Sequence, residues 1–336
     1  ITGGTWNVYI PTGTTDFRIA STAPFYNLNI YKNGTGAGKA IIQDINSSVG
    51  NVAAQTLEVL NDLTLTTTGS PVFDANGYDI KVARNFSIQS GASYTNTGAT
   101  NTFYMTHEIL NTVGSVQYLD LDVATTFDNF TVDTDNSLVL DGSANATISG
   151  DFSLLAGALN DNAKTLTIEG DVINATSHTG SGSVVLQGSA LKSVSGGGSF
   201  KNLTLDNASN VQLTGNISVN GNLRLDNGLL SLNQYKLTLG TTSAIYDAAT
   251  GTGTSFSSTK MITTSGASSN AGLVKSFTSS GGSFTYPLGT GADYTPAVIN
   301  VTNASGSAGT VAVRPVSTEH PNVSASGTSL TYYWKV

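Results

Sequence analysis

From Phe200 to Gly240 the chain reads FKNLTLDNASNVQLTGNISVNGNLRLDNGLLSLNQYKLTLG, and its apolar residues come in pairs with one polar residue between them. The pairs are Leu203/Leu205, Val211/Leu213, Ile217/Val219, Leu223/Leu225, Leu230/Leu232 and Leu237/Leu239, with Asn, Gly, Asp or Gln after nearly every one. Strict alternation over so few residues specifies half-buried strands. No i, i+3, i+4 stripe competes, and Thr, Val, Asn and Gly are poor helix formers. Every third pair lies about 20 residues from its equivalent, Leu203 to Leu223, Val211 to Leu230 and Ile217 to Leu237. A fixed period of that size is the mark of a solenoid. Three short strands per turn wind into a parallel β-helix, with each strand paired to its equivalent one turn on, ~4.8 Å away. A single coil cannot cover its own apolar face, so the coils stabilise one another. Each inward Leu contributes ~1.5–3 kcal/mol by burial. Asn and Gly at the corners supply tight bends, and Asn amides can bond from coil to coil.

Related phrases recur. FYNLNI (Phe25–Ile30) and FDNFTV (Phe127–Val132) match FKNLTL (Phe200–Leu205). The segments Leu57–Gly91 and Ile148–Val172 repeat the longer phrase, with irregular insertions between copies. An all-β sandwich of unusually short strands is the competing fold, and Asn-Gly at Asn76–Gly77 and Asn220–Gly221 would serve its hairpins. The persistent register favours the solenoid. After about Tyr246 the phrase fades, and longer strands are expected at Ser283–Pro287, Tyr294–Thr302, Thr310–Pro315 and Leu330–Val336. Pro287, Pro296, Pro315 and Pro321 fall there, and proline does not fit a central ladder. The fold read from the sequence is therefore all-β: a right-handed parallel β-helix with three short strands per coil over residues 1–265, then an antiparallel β-sandwich-like module over 266–336. Trp334 is expected in the core of that module. At twenty to twenty-five residues per turn, about ten to thirteen coils are expected.

Composition narrows the function classes. Of 336 residues only 11% are charged, and the formal net charge is −8. Such a chain lacks the basic face that nucleic acid requires, and it has no polybasic cluster for anionic membranes. No apolar run approaches the ~20 residues of a membrane span. Cysteine is absent, which removes disulfides, zinc–thiolate and iron–sulfur sites. A surface rich in Thr, Ser and Asn and poor in Lys and Glu suggests an extracellular chain. It starts within a patterned segment, ITGGTWNVYI, and stops on another, LTYYWKV. Both are expected to be cuts from something longer, and no signal peptide precedes Ile1.

Parallel β-helices include polysaccharide lyases and glycoside hydrolases, so carboxylate pairs need inspection. Glycoside hydrolysis uses two carboxyls about 5–9.5 Å apart, which a β-helix would place at equivalent positions of adjacent coils. Asp120/Asp122 and Asp133/Asp135 alternate along single strands, and outward polar positions or turn caps explain them more simply. Arg18, Arg84, Arg224 and Arg314 are scattered. Asp133–Asn136 and Asn160–Asn162 offer oxygen ligands for calcium, but neither completes a loop motif, and turns with side-chain hydrogen bonds account for both. His107, His178 and His320 are far apart in sequence. No Gly-x-Ser-x-Gly elbow sits between strand and helix, and the glycine-rich GSGS and GTGADY precede no helix that could hold phosphate. The Thr run Leu63–Gly69 resembles the flat Thr arrays of ice binders, yet the outward residues vary from rung to rung. Asn-x-Ser/Thr triplets are as frequent as this composition produces by chance. No residue is singled out as catalytic, cofactor-binding or metal-ligating.

Taken together, the repeat FKNLTLDNASNVQLTGNISVNGNLRLDNGLLSLNQYKLTLG and the later FTYPLGTGADYTPAVINV, VAVRPVSTEHPNV and LTYYWKV resemble surface proteins of Bacteroidota bacteria. The resemblance covers roughly Leu57–Val336 and is most specific in the C-terminal block. It implies a β-helical stalk of a large adhesin or gliding-type protein exported by the type nine secretion system, although the sorting domain expected at the end of such proteins is missing. The expected role is a non-catalytic structural or adhesive segment at the cell surface, acting as a stiff spacer and polar contact surface. Its expected partners are a surface glycan or protein and, during export, the secretion machinery. No nucleic acid, no membrane insertion and no cofactor are expected. A polysaccharide-active lyase or hydrolase on the same fold is the alternative, and clustered carboxylates and aromatics at adjacent-coil positions would favour it.

Overall fold

The structure, a computed structural model, describes residues 3–47, 50–107, 116–247, 255–302, 307–324, 327 and 329–336. Among them there is no α-helix, and the strands, 53% of these described residues, build a parallel β-helix of about 12 turns. The chain divides into two compact units. One comprises Ile1–Glu169 with His178–Gly182, the other Gly170–Ser177 with Ser183–Val336.

In the second unit the twenty-residue register of the sequence is the register of the ladders. On the first face of the coil, Val184, Leu203, Leu223 and Ile245 oppose one another in turn. On the second face, Val211 opposes Leu230, which opposes Ile262. On the third, Ile217 opposes Leu237. Leu203, Leu223, Leu237 and Val211 are at most 1% exposed. The polar residues Gln212, Ser218, Arg224, Ser231 and Thr238 between the apolar pairs are half-exposed, whereas Thr204 is covered, its hydroxyl 3.1 Å from Ser183 Oγ on the preceding coil.

The first unit uses the same three faces with larger insertions and more aromatic filling. Leu57, Ile80, Phe103, Phe130 and Phe152 stack on the second face. Leu28, Leu63, Phe86, Leu119 and Leu140 stack on the third. Inside, Phe86 meets Phe103 at 4.7 Å between ring centroids and Phe127 meets Phe130 at 4.9 Å. Aromatic pairs of this kind add about 0.5–1.5 kcal/mol beyond their burial.

Corner residues join one coil to the next. An Asn side-chain carbonyl accepts the backbone N–H of a residue one turn on: Asp151 N on Asn129 at 2.8 Å and Thr165 N on Asn145 at 2.9 Å in the first unit. In the second unit Asn222 N donates to Asn202 at 3.0 Å, Leu229 N to Asn210 at 2.9 Å and Lys236 N to Asn216 at 2.9 Å. These are corner N–H groups that the ladders do not pair. Gly228 makes a tight corner. Its φ is +79°, and a Cβ there would lie 2.1 Å from the Asn207 carbonyl oxygen.

Parallel pairing continues past residue 265, with Leu237 opposite Leu273 and Ile262 opposite Leu288. Antiparallel strands then add to this last turn. Gly309–Val316 runs against Gly272–Phe277, Gly281–Tyr286 against Ala297–Thr302, and Tyr333–Lys335 against the end of Gly309–Val316. Tyr286 is the fully buried aromatic here. Trp334, expected in the core, is instead 38% exposed. It lies opposite Pro315 and donates its indole N–H to the Thr295 carbonyl at 3.0 Å. A strand that pairs on one side alone leaves its large ring half in water.

Candidate functional site

The third face of the first unit carries a concavity of about 300 Å³ lined by Asp62, Thr64, Asn85, Ser87, Tyr118, Asp120 and Asp141. Thr64, Ser87 and Asp120 are the outward residues of three successive strands, Leu63–Leu65, Phe86–Ile88 and Gln117–Leu121, and they stand in one column. Asp141 continues that column, directly opposite Asp120 on the next coil. Tyr118 stands beside it, 39% exposed. Polar contacts fix the walls. Ser87 Oγ donates to Asp120 Oδ2 at 2.8 Å, Asn85 Nδ2 donates to Asp62 Oδ1 at 2.9 Å, and Arg84 reaches Asp62 Oδ2 at 3.4 Å. Tyr118 N donates to Asn85 Oδ1 at 3.0 Å.

The carboxylate pairs read along single strands are not the pairs that the fold assembles. Asp120 has Asp141 as its neighbour, while Asp122 is exposed outside the groove. Asp133 and Asp135 are exposed beside a register shift in the strand Asn129–Asp141, and Asp135 forms an ion pair with His107. His178 is buried instead, its Nε2 2.8 Å from Asp161 Oδ2. Asp161 Oδ1 also accepts the Gly182 and Ala163 N–H groups at 2.8 and 2.9 Å. Burial raises the Asp161 carboxyl, but the His178 hydrogen bond and these backbone donors outweigh it and leave the pKa below the ordinary value. Asp74 follows the same pattern: burial pushes it up, and Lys39, Thr97 and the Asn76 N–H bring it below. Both are structural arrangements, enclosed by their partners.

Asn160–Asn162, one of the two candidate calcium segments, is a turn in which Asn162 N donates to Asn160 Oδ1 at 2.9 Å. Among the described residues no group of three or more His, Cys, Asp or Glu is arranged to hold a metal ion. His320 receives the Asn322 N–H at 3.2 Å and packs edge-on to Tyr333. The arginines serve local contacts, Arg224 with Asp226 and Arg314 with the Ser268 carbonyl, and Arg18 is exposed on its strand opposite Ile41. Outward Thr residues do align on one face, as Thr126, Thr147 and Thr167. The column through Thr64 mixes Asn29, Thr64, Ser87, Asp120 and Asp141.

The fold defines the class, a parallel β-helical solenoid. Comparison of the chain with protein-family models, with curated proteins and with solved structures yields no match.

Proposed function

We propose that this chain is a non-catalytic structural and adhesive segment of an exported bacterial surface protein, a stiff spacer whose outer faces make polar contacts. The observation that carries the reading is the doubled connection between coils. Backbone ladders run along all three faces of each unit, and Asn side chains close the corner N–H groups between them. A backbone so fully paired offers proteases and mechanical force few openings. The small charged fraction and the abundance of Thr, Ser and Asn suit an extracellular setting. Export by the type nine secretion system of a Bacteroidota bacterium rests on the resemblance of the repeat and C-terminal phrases. The test has two arms. Incubation with a panel of polysaccharides should leave every polymer at its original length, and chain shortening would overturn the non-catalytic role. Antibody should label the protein on intact cells and lose that signal when the secretion system is deleted; unchanged labelling would refute the export route.

One observation favours the second reading, a polysaccharide-active enzyme. Asp120 and Asp141 occupy equivalent positions on adjacent coils beside an exposed Tyr118, and glycoside hydrolysis uses two carboxyls on one face. Under that reading Asp120→Asn and Asp141→Asn would each abolish a measurable depolymerase activity.

A further inference from the structure

The groove of the first unit has a composition that selects its occupant. Three of its seven lining side chains are carboxylates and none is basic. The base that reaches a lining residue, Arg84, is held by Asp62 and by Asn61 Oδ1 at 3.4 Å. Asp141 accepts one long bond, 3.5 Å from Asn162 Nδ2, and Asp120 uses one oxygen for Ser87. Acceptor capacity therefore faces the groove in excess of donors. An anionic polymer such as a polyuronate is repelled, and a divalent cation finds no cluster of three ligands. An extended peptide finds no strand edge. Leu63–Leu65 is paired on both sides, with Asn27–Lys32 and Phe86–Ile88, and Phe86–Ile88 is paired on both sides too.

A ligand rich in hydroxyl and ammonium donors fits. Tyr118 offers a flat apolar face for the C–H side of a sugar ring and attraction for a cation above it. Asn29, Thr64, Ser87, Asp120 and Asp141 repeat polar groups at one per rung, ~4.8 Å apart, along the line an extended chain would follow. The strand Thr5–Ile10 extends the same face by one rung: its Tyr9, 49% exposed, stacks on Tyr31 of Asn27–Lys32 at 5.1 Å, and Asn29 Nδ2 donates to Asn7 Oδ1 at 3.2 Å. We propose that this face binds an extended glycan carrying free amino groups, of the glucosamine type, with its ammonium groups on Asp120 and Asp141 and a ring on Tyr118. The proposal rests on the contact-surface reading and gives that surface a location and a ligand class.

The test is calorimetric titration of the full chain with a glucosamine hexamer, its N-acetylated counterpart, a galacturonate hexamer and hexalysine. The glucosamine hexamer should bind at least about tenfold more tightly than the N-acetylated form, a gap of about 1.4 kcal/mol, and the galacturonate should not bind. Tyr118→Ala should weaken binding about fivefold or more, and Asp120→Asn and Asp141→Asn should weaken it and flatten its dependence on salt. Tyr118 is exposed, Asp120 and Asp141 are half-buried on the outer side of the coil, and Asn keeps an acceptor for Ser87, so unchanged thermal melts should accompany the losses. Absent binding, equal binding of the acetylated or uronate hexamer, or hexalysine binding as tightly with Tyr118→Ala without effect would each overturn the site. Mass spectrometry of the recovered hexamer separates the two claims. An intact hexamer without binding removes the site and leaves the spacer role. A shortened hexamer removes the non-catalytic role and leaves the site.

Discussion

Single side chains in this protein act mainly by completing backbone hydrogen bonding between coils. Asn202→Ala deletes the acceptor for the Asn222 N–H and is expected to cost about 1 kcal/mol, the usual net worth of such a bond. Asn202→Asp should keep most of it, and urea midpoints of the two variants check this. The buried Asp161–His178 pair adds a dependence on pH. A carboxyl whose folded pKa is depressed stabilises the fold fully above its unfolded value, near 3.9, and loses that contribution as pH falls through the folded value. Asp161 and Asp74 are both of this kind, so their contribution should fade as the pH falls below about 4. Asp161→Asn should therefore be destabilised at pH 7, and its deficit relative to the parent should shrink at pH 3; a constant deficit in denaturant titrations would refute this. Neither partner could be matched from sequence. His178 and Asp161 lie 17 positions apart, less than a full turn, and only the path of the coil shows that the two side chains meet inside.

Between neighbouring strands, sequence and structure agree wherever the insertion length is constant. Leu203, Val211 and Ile217 predict their partners because uniform turns carry each of them to the same face one coil later. The groove was not legible for the opposite reason. Asp120 stands 33 residues from Ser87, whereas 20 separate Asn202 from Asn222. An insertion of that size breaks the period, so counting along the chain cannot bring Asp120 to Ser87 or Thr64, although Asp141 lies one regular turn of 21 residues beyond Asp120. Strand cores should be costly to hollow out. Leu223→Ala, fully buried between Leu203 and Ile245, should lose about 2–5 kcal/mol. Gly228→Ala forces an L side chain into positive φ and against the Asn207 carbonyl, and should lose about 1–3 kcal/mol. Thermal or denaturant melts compare both with an outward control such as Gln212→Thr, which should change stability by less than about 0.5 kcal/mol.

For the molecule as a whole, stability is a sum over coils and their nearest-neighbour contacts. The uniform stretch of the second unit makes this testable. Excision of Leu203–Asn222 brings Leu223 to the place of Leu203, opposite Val184, with inward and outward residues still in phase. The shortened chain should retain its far-ultraviolet β spectrum and melt cooperatively. Removal of Leu203–Gln212 alone, half a coil, should abolish folding because it moves second-face residues onto the first face. If both deletions behave alike, the interchangeability of coils is refuted. The same equivalence has a genetic side. A junction between any two regular rungs needs no repair, so insertion or deletion at rung boundaries can lengthen or shorten the protein, and natural variants should differ by whole turns rather than by arbitrary numbers of residues.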